Sequence, residues 1–328
     1  QRQLTRAEHK TCERLAGRWF DRHQTGRAGL MLDCSIVQKR FQLRGKAAVM
    51  AHIRHMLVAS DLTGRSVYPL QRALQLKAES DGQLTVLHVV EHGLTNTIKE
   101  RRYAEALSEL QTWKRSLPGV KQFGVDVSVL VGDPFANIVD VMRIRQIDFA
   151  IVGGPGKQGL KKLIDDTTAE RVIGISDRPV LMVKGHANGP YKRVGVAMDF
   201  SQGAKRALEW ACRMAPEAEI KLVHAWQSQL WGGAAHEGER DAANQKLRDQ
   251  EERQIRAVVD EVAGGGALQL EVVEESPYSA LRNIIGTFDA ELLAMGTHSR
   301  SRLSTAIVGS LAQEFLATAP CDVFVAKA

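Results

Sequence analysis

Hydrophobic residues fall into short continuous runs separated by longer amphipathic stretches. His55-Met-Leu-Val-Ala-Ser60, Leu84-Thr-Val-Leu-His-Val-Val90, Val125 to Val131, Phe149-Ala-Ile-Val152 and Val180-Leu-Met-Val183 are short and mostly β-branched or apolar, and they predict five strands. Leu70, Ala73, Leu74 and Leu76 recur at helical spacing. Further helices are predicted at about 95–116, 135–146 and 168–175. Apolar strands that alternate with helices predict an α/β fold, with a parallel sheet covered on both faces.

The same succession begins again at residue 191. Val194 to Met198, Leu222 to Ala225, Leu268 to Val273, Leu292 to Met295 and Val323 to Val325 predict strands. Helices are predicted around Ala204, Leu208 and Ala211, and at about 237–262 and 310–318. Another opens at Pro277, a residue suited to the first helical position. Asp61/Asp199 and Leu70/Leu208 are each 138 apart. Gly153/Gly296, Leu160/Leu303, Ala169/Ala312, Val180/Val323 and Lys184/Lys327 are each 143 apart. Offsets held over so many positions mark an internal duplication. Gly185-His-Ala-Asn-Gly-Pro190 breaks regular structure between the halves. The predicted domains are 51–187 and 188–328, preceded by an extension, 1–50. A chain of 328 residues suits two domains of about 150.

Charge changes the picture only at the N-terminus. The net charge is +6, but residues 1–49 hold eleven Lys/Arg and four Asp/Glu, a net +7, which leaves −1 for the remaining 279. The folded body is near neutral and offers no electrostatic footprint for nucleic acid. Basic residues recur every four positions from Arg2 to Arg22; on a helix that spacing drifts by about 40° per step and makes a spiral, not a face. The extension reads as a flexible tail or an upstream stretch of reading frame, with Met31 and Met50 as alternative starts. Its other reading is an arm touching nucleic acid or membrane, and nucleic-acid contact is expected nowhere else. No run approaches the ~18 apolar residues of a membrane span, and none of roughly 7–15 follows the basic start, so neither a membrane partner nor a secretory signal is expected. With 44% hydrophobic and 25% charged residues the chain is not disordered. Cys12, Cys34, Cys212 and Cys321 form no CxxC pair and no zinc spacing. No metal site is expected; the setting reads as reducing and cytoplasmic, with Cys212 and Cys321 as buried hydrophobes.

Ligands of such sheets bind outside the carboxyl ends of the strands. Three features fall there in each half. Asp61 and Asp199 follow the first strand, where a carboxylate also serves a turn or a helix cap. Gly153-Gly-Pro-Gly156-Lys-Gln-Gly159 and Gly296-Thr-His-Ser299-Arg-Ser301 follow the fourth. Glycine there lets backbone N–H groups approach an anion, although a glycine loop alone is usually a turn. Thr167-Thr-Ala-Glu170 and Ser310-Leu-Ala-Gln313 match the capping box, which offers either a positive helix end for phosphate or a cap and nothing more. There is no Gly-x-Ser-x-Gly nucleophile, no P-loop and no carboxylate pair. His88 and His224 read as satisfied core residues. No catalytic residue is predicted, and the pattern suits a binding module better than an enzyme.

Gly296-x-x-Ser299, nine residues and then Gly309-Ser310 resemble the universal stress protein loop Gly-x-x-Gly-(nine)-Gly-Ser/Thr. Leu292-Leu-Ala-Met-Gly-Thr-His298, Ala319-Pro-Cys-Asp-Val-Phe-Val325, Val58-Ala-Ser-Asp61-Leu-Thr63 and Leu87-His-Val-Val-Glu91 are similar to the same family. The resemblance covers about residues 54–328 and implies a tandem of two such domains. Each would hold a five-stranded parallel sheet in the order 3-2-1-4-5. The resemblance implies ATP or AMP as cofactor in members that bind one. The Asp and the backbone after the second strand would hold adenosine; the glycine loop and Ser/Thr would hold phosphates. Those roles fall on Asp61, Val89, Gly132, Gly153, Gly156 and Thr167, and on Asp199, Ala225, Gly296, Ser299, Gly309 and Ser310. Both halves depart from the pattern. Asp166, beside Asp165, replaces the third glycine of the first half; in the second, Ser299 replaces the second glycine and Glu275 the counterpart of Gly132. A carboxylate at the phosphate position repels the ligand, so nucleotide is expected at the second half. The apolar last strands are edges that invite pairing. With the resemblance they imply an intramolecular pseudo-dimer and allow a homodimer; other protein partners are unidentified. The function expected is a non-catalytic, stress-response regulatory protein with degenerate adenine-nucleotide sites. The alternatives are a nucleotide-independent interaction module on a pseudo-dimeric scaffold and, behind it, a slow ATP hydrolase.

Overall fold

The computed structural model describes residues 53–117, 124–154, 168–226, 237–263, 268–297 and 309–327. The basic extension 1–50 lies outside the described residues. The first succession is β1 (His55–Ala59), α1 (Val67–Ser80), β2 (Gln83–Glu91), α2 (Asn96–Ser116), β3 (Val125–Gly132), α3 (Pro134–Ile144), β4 (Phe149–Gly153), α4 (Thr168–Ile175) and β5 (Val180–Val183). The second is β6 (Arg193–Ala197), α5 (Gln202–Met214), β7 (Glu219–Trp226), α6 (Glu237–Ala263), β8 (Leu268–Glu274), α7 (Pro277–Thr287), β9 (Leu292–Thr297), α8 (Ser310–Thr318) and β10 (Asp322–Lys327). Every expected strand and helix is present. β7 and β10 run a few residues beyond their apolar runs, because polar ends such as Glu219 and Asp322 still complete a ladder that the hydrophobic pattern does not register.

Two compact units divide at Gly153/Gly154. In the first, parallel strands lie in the order β3-β2-β1-β4. In the second, the parallel order is β8-β7-β6-β9-β10, which is 3-2-1-4-5 within that repeat. β5 adds to it, antiparallel to β10. The central strands are buried throughout: Met56, Leu57 and Val58, Phe149, Ala150 and Ile151, and Leu292, Leu293 and Ala294 are fully enclosed. Burial on both faces is why these strands read as continuous apolar runs without alternation.

Turn chemistry is shared between the repeats. Asp133 caps α3 by accepting from Phe135 N at 3.1 Å, and Ser276 caps α7 by accepting from Ser279 N at 3.1 Å; a proline follows each cap. The same two helices are followed by left-handed residues, Gln146 (φ 52°) and Asp289 (φ 53°).

The compact boundary falls earlier than the repeat boundary because β5 pairs with β10. Val323, Phe324 and Val325 face Met182, Leu181 and Val180, all almost completely buried. Asp322, 5% exposed, fastens this seam. It accepts the Lys184 backbone N–H at 2.8 Å and the Tyr191 hydroxyl at 2.6 Å, one on each oxygen. Two lysines cross the seam reciprocally: Lys184 Nζ donates to the Leu316 carbonyl of α8, and Lys327 Nζ to the Gly174 carbonyl of α4. The helical partner of the Leu316 carbonyl would be residue 320, but Pro320 has no N–H, so the lysine supplies the missing donor. A cation at a helix C-terminus also complements its dipole. Burial lowers both lysine pKa values below the ordinary range, against opposing acidic neighbours. Burial likewise pushes the Cys321 thiol up to about 12, which leaves it inert, while Cys212 is only half-buried instead of buried as expected.

Asp322→Ala would strip both acceptors from buried donors, and a loss of about 3 kcal/mol is expected. Tyr191→Phe removes one neutral donor, and about 1 kcal/mol is expected. Urea denaturation of the full chain measures both; an unchanged midpoint for Asp322→Ala would show that the seam carries no stability.

Candidate functional site

The carboxyl ends of the strands bear the same turn in both repeats. Ser60 N and Met198 N extend the ladder by donating to Leu87 and Val223 carbonyls, each at 2.9 Å. Asp61 and Asp199 follow, and the next residues, Leu62 (φ 58°) and Phe200 (φ 60°), are left-handed. That conformation is costly for bulky side chains, so its recurrence at equivalent places marks a turn that the surroundings enforce. His88 Nδ1 bonds the Ser60 carbonyl and His224 Nδ1 the Met198 carbonyl, each at 2.8 Å. A carbonyl only accepts, so each ring carries its proton on Nδ1 and is satisfied structurally. His224 is held further by Phe200, with ring centroids 4.8 Å apart, and its Nε2 lies 3.6 Å from Glu251 on α6.

The two aspartates serve their turns differently. Asp61 Oδ1 accepts from Thr63 N at 2.9 Å, from Thr63 Oγ1 at 2.7 Å and from Ser66 Oγ. Burial pushes this carboxyl's pKa up, but the Ser66 and Thr63 hydrogen bonds, with Arg65, outweigh it and hold the pKa below the usual carboxylate value. Asp199 accepts from Ser201 N at 3.0 Å, and Ser201 Oγ in turn caps α5 by accepting from Ala204 N at 3.1 Å.

Val89 and Ala225 lie near the ends of β2 and β7, paired with Leu130 and Val273. Gly132 ends β3 with φ 155°, and a Cβ there would overlap Asn137 Nδ2, which donates to the Asp133 carbonyl at 2.8 Å. Its counterpart Glu275 is exposed, and its carboxylate accepts from Asn283 Nδ2 of α7 at 3.1 Å. Gly153 meets only ordinary contact, Pro69 at 3.7 Å. Gly296 is different: a Cβ would overlap the Gly203 and Ala204 backbone. This glycine is required because the start of α5 lies directly against the end of β9.

α8 corrects one expectation. The capping box on Ser310 and Gln313 does not form, because Ser310 is already the first helical residue. The cap is Gly309, whose carbonyl accepts from Gln313 N at 3.0 Å and which has no side chain to return a hydrogen bond. The first amides of α8 therefore lack a side-chain acceptor at the cap, as do those of α1 and α2, whereas α3, α5 and α7 are capped by side chains; α8 alone of these uncapped helices has a cap residue with no side chain to offer. Among the described residues, a Cβ on Gly309 would meet nothing within 4 Å. Sequence reasoning also passed over Thr297. It is 4% exposed, and its Oγ1 has no hydrogen-bond partner among the described residues. The available signal was a lone hydroxyl closing an apolar strand, at the position of Gly154 in the first repeat.

The structure thus places Asp61, Val89, Gly132 and Gly153 at the strand ends of the first repeat. It places Asp199, Ala225 and Gly296 at those of the second, with Gly309 and Ser310 opening α8. Gly156, Thr167 and Ser299, with Asp165 and Asp166, lie outside the described residues. A cleft of about 310 Å³ at the carboxyl ends of β7 and β8 is lined by Trp226, Asn244, Gln245, Arg248, Val272 and Glu274. A cleft in the first repeat, lined by Gln111, Lys114, Arg115, Asp126 and Val127, lies at the opposite, amino end of β3.

Asp61 releases its proton more readily folded than at its unfolded value of 3.8. It therefore stabilises the fold above that pH, and the contribution is lost as pH falls through the folded value. Asp61→Asn is expected to cost about 1 kcal/mol at pH 7, a charged hydrogen-bond contribution discounted for exposure. The gap from the parent should close below pH 3.8. Urea midpoints at pH 7 and pH 3 measure this; equal gaps at both would rule out the ionised carboxylate as the source.

A family model described as "Universal stress protein family" matches residues 52–184 and again 190–327. "Universal stress protein MJ0577" of Methanocaldococcus jannaschii is 34% identical over 89 residues, 27% of this chain and 54% of that protein, so this match spans about half of the relative's length. "Universal stress protein A homolog 1" of Coxiella burnetii is 30% identical over 148 residues, 40% of this chain and 96% of that protein. Among solved structures, a universal stress protein from Archaeoglobus fulgidus shares the fold with a TM-score of 0.59 and 22% identity, covering 83% of this chain and 98% of that one. The two matched regions coincide with the two structural repeats, and the chain belongs to the universal stress protein family as a tandem of two copies of its domain.

Proposed function

We propose that this chain is a non-catalytic stress-response regulator that binds one adenine nucleotide, ATP or AMP, at its second repeat. The observation that carries this reading is the glycine-capped start of α8. Its first amides and positive helix end meet no side-chain acceptor at the cap, the arrangement that favours a phosphate. Gly309 and Ser310 would meet the phosphates, and the buried Thr297 hydroxyl offers a further unused donor at the end of β9. Asp199 and the Ala225 backbone would hold the adenosine, beside the cleft lined by Trp226 and Arg248. Glu275, whose charge opposes this, is turned onto Asn283. In the first repeat Asp61 Oδ1 is engaged three times, by Thr63 and Ser66, whereas Asp199 Oδ1 accepts from Ser201 N. His88 and His224 each donate Nδ1–H to a backbone carbonyl of their own turn, a role that holds the strand ends in place. The β5–β10 pairing supports a pseudo-dimer of the two repeats as the scaffold.

Calorimetry of the full chain with ATP and with AMP is expected to show one site. Gly309→Asp places a capping carboxylate where the phosphate would sit, at a φ of −55° that aspartate accepts. It should raise stability by a few tenths of a kcal/mol and weaken ATP binding at least tenfold, or about 1.4 kcal/mol. No heat with the parent, or equal affinity in the variant, would favour the nucleotide-independent interaction module. Phosphate release from ATP should not exceed the buffer rate; turnover that co-purifies with the chain and disappears in Asp199→Ala would make it a hydrolase.

A further inference from the structure

Lys184 stands between two places that the nucleotide reading makes important. Its stem lies against Gly154, the second residue of the first repeat's glycine loop: a Cβ on Gly154 would come within 2.8 Å of Lys184 Cδ and 3.3 Å of Cε. Its ammonium donates to the Leu316 carbonyl near the end of α8, the helix whose open start carries Gly309 and Ser310. Its backbone N–H is fixed by Asp322 at 2.8 Å, so the side chain has a rigid base. The lysine is therefore a strut with one flank on Gly154 and its tip on the helix. α8 has only nine residues, so a shift at Leu316 is passed along a rigid element to Ser310. Lys327 makes the reverse connection, from the last strand of the second repeat to the Gly174 carbonyl of α4 in the first.

We propose that Lys184 couples the two repeats: Gly154, which follows β4 of the first, fixes where the lysine stem can lie and so sets the order of the anion-facing helix α8 in the second. The functional meaning rests on the nucleotide reading of α8, but the coupling itself does not. An event that moves the backbone at Gly154 displaces the stem, withdraws the donor from Leu316 and leaves that carbonyl without the partner that Pro320 cannot give.

The test is hydrogen exchange of the full chain without nucleotide, read on peptides covering 310–318, with 83–91 and 134–144 as internal references. Gly154→Ala should accelerate exchange in α8 by roughly fivefold while the references hold. Lys184→Met, which introduces no crowding at Gly154, should do the same alone. In the Lys184→Met background, Gly154→Ala should add nothing further. The proposal is overturned if Gly154→Ala leaves α8 unchanged, if its effect persists undiminished without the lysine, or if Lys184→Met leaves α8 as protected as in the parent. A chain that shows the expected exchange pattern yet binds no ATP would sink the nucleotide reading and leave the coupling standing.

Discussion

Everything in the second compact unit depends on covering one apolar strand. β10 is buried along almost its whole length, and an uncovered edge of such composition would pair with whatever strand it met. The chain meets this constraint from within, by running β5 antiparallel along it. The register then places Asp322 where it receives both the Lys184 backbone and the Tyr191 hydroxyl, so a buried charge finds two donors at the point where the linker returns. From that seam follow the reciprocal lysines and the early compact boundary. They also give α8 an anchored end opposite an open start.

The duplication has kept what the fold needs and let the rest diverge. The left-handed residue after the aspartate, the histidine on the preceding carbonyl and the proline-opened third helix recur because each solves a backbone problem common to both sheets. Around them the chemistry has separated. Thr63 and Ser66 converge on Asp61, whereas the equivalent of Thr63, Ser201, turns its hydroxyl to cap α5. Gly153 is free of steric demand while Gly296 is pinned by α5. A glycine can thus match a ligand-binding pattern and still be required for packing.

The hydrophobic pattern carried most of the architecture. Strands buried on both faces announce themselves as uninterrupted apolar runs, and the constant 143-residue offset aligned Lys184 with Lys327 before any contact was known. What it could not carry was anything decided by distance. The close approach of α5 to Gly296 joins residues about ninety positions apart, and the Leu316 carbonyl finds Lys184 across 132. Local rules placed α8 but misassigned its cap: Ser310-Leu-Ala-Gln313 has the letters of a capping box, yet Gly309 is the cap and Ser310 already the first helical residue. Thr297 was invisible for a different reason, since a hydroxyl at the end of an apolar run says nothing of whether its partner exists.

The glycine cap and the Thr297 hydroxyl, which has no partner among the described residues, lie in the same repeat, and both forgo stability that a small change would recover. An N-cap side chain in place of Gly309 adds a few tenths of a kcal/mol over glycine, and a buried hydroxyl without a partner costs about 1–3 kcal/mol. This chain caps α3, α5 and α7 with its own side chains and leaves α1 and α2, with Ser66 and Thr95 at the cap, without such a bond; only α8 has glycine there. Groups already satisfied by the protein gain nothing from a ligand, so polar groups without partners at the carboxyl end of a parallel sheet are the ones an external acceptor would meet. In the first repeat, Asp61 is met by its own turn, through Thr63 and Ser66.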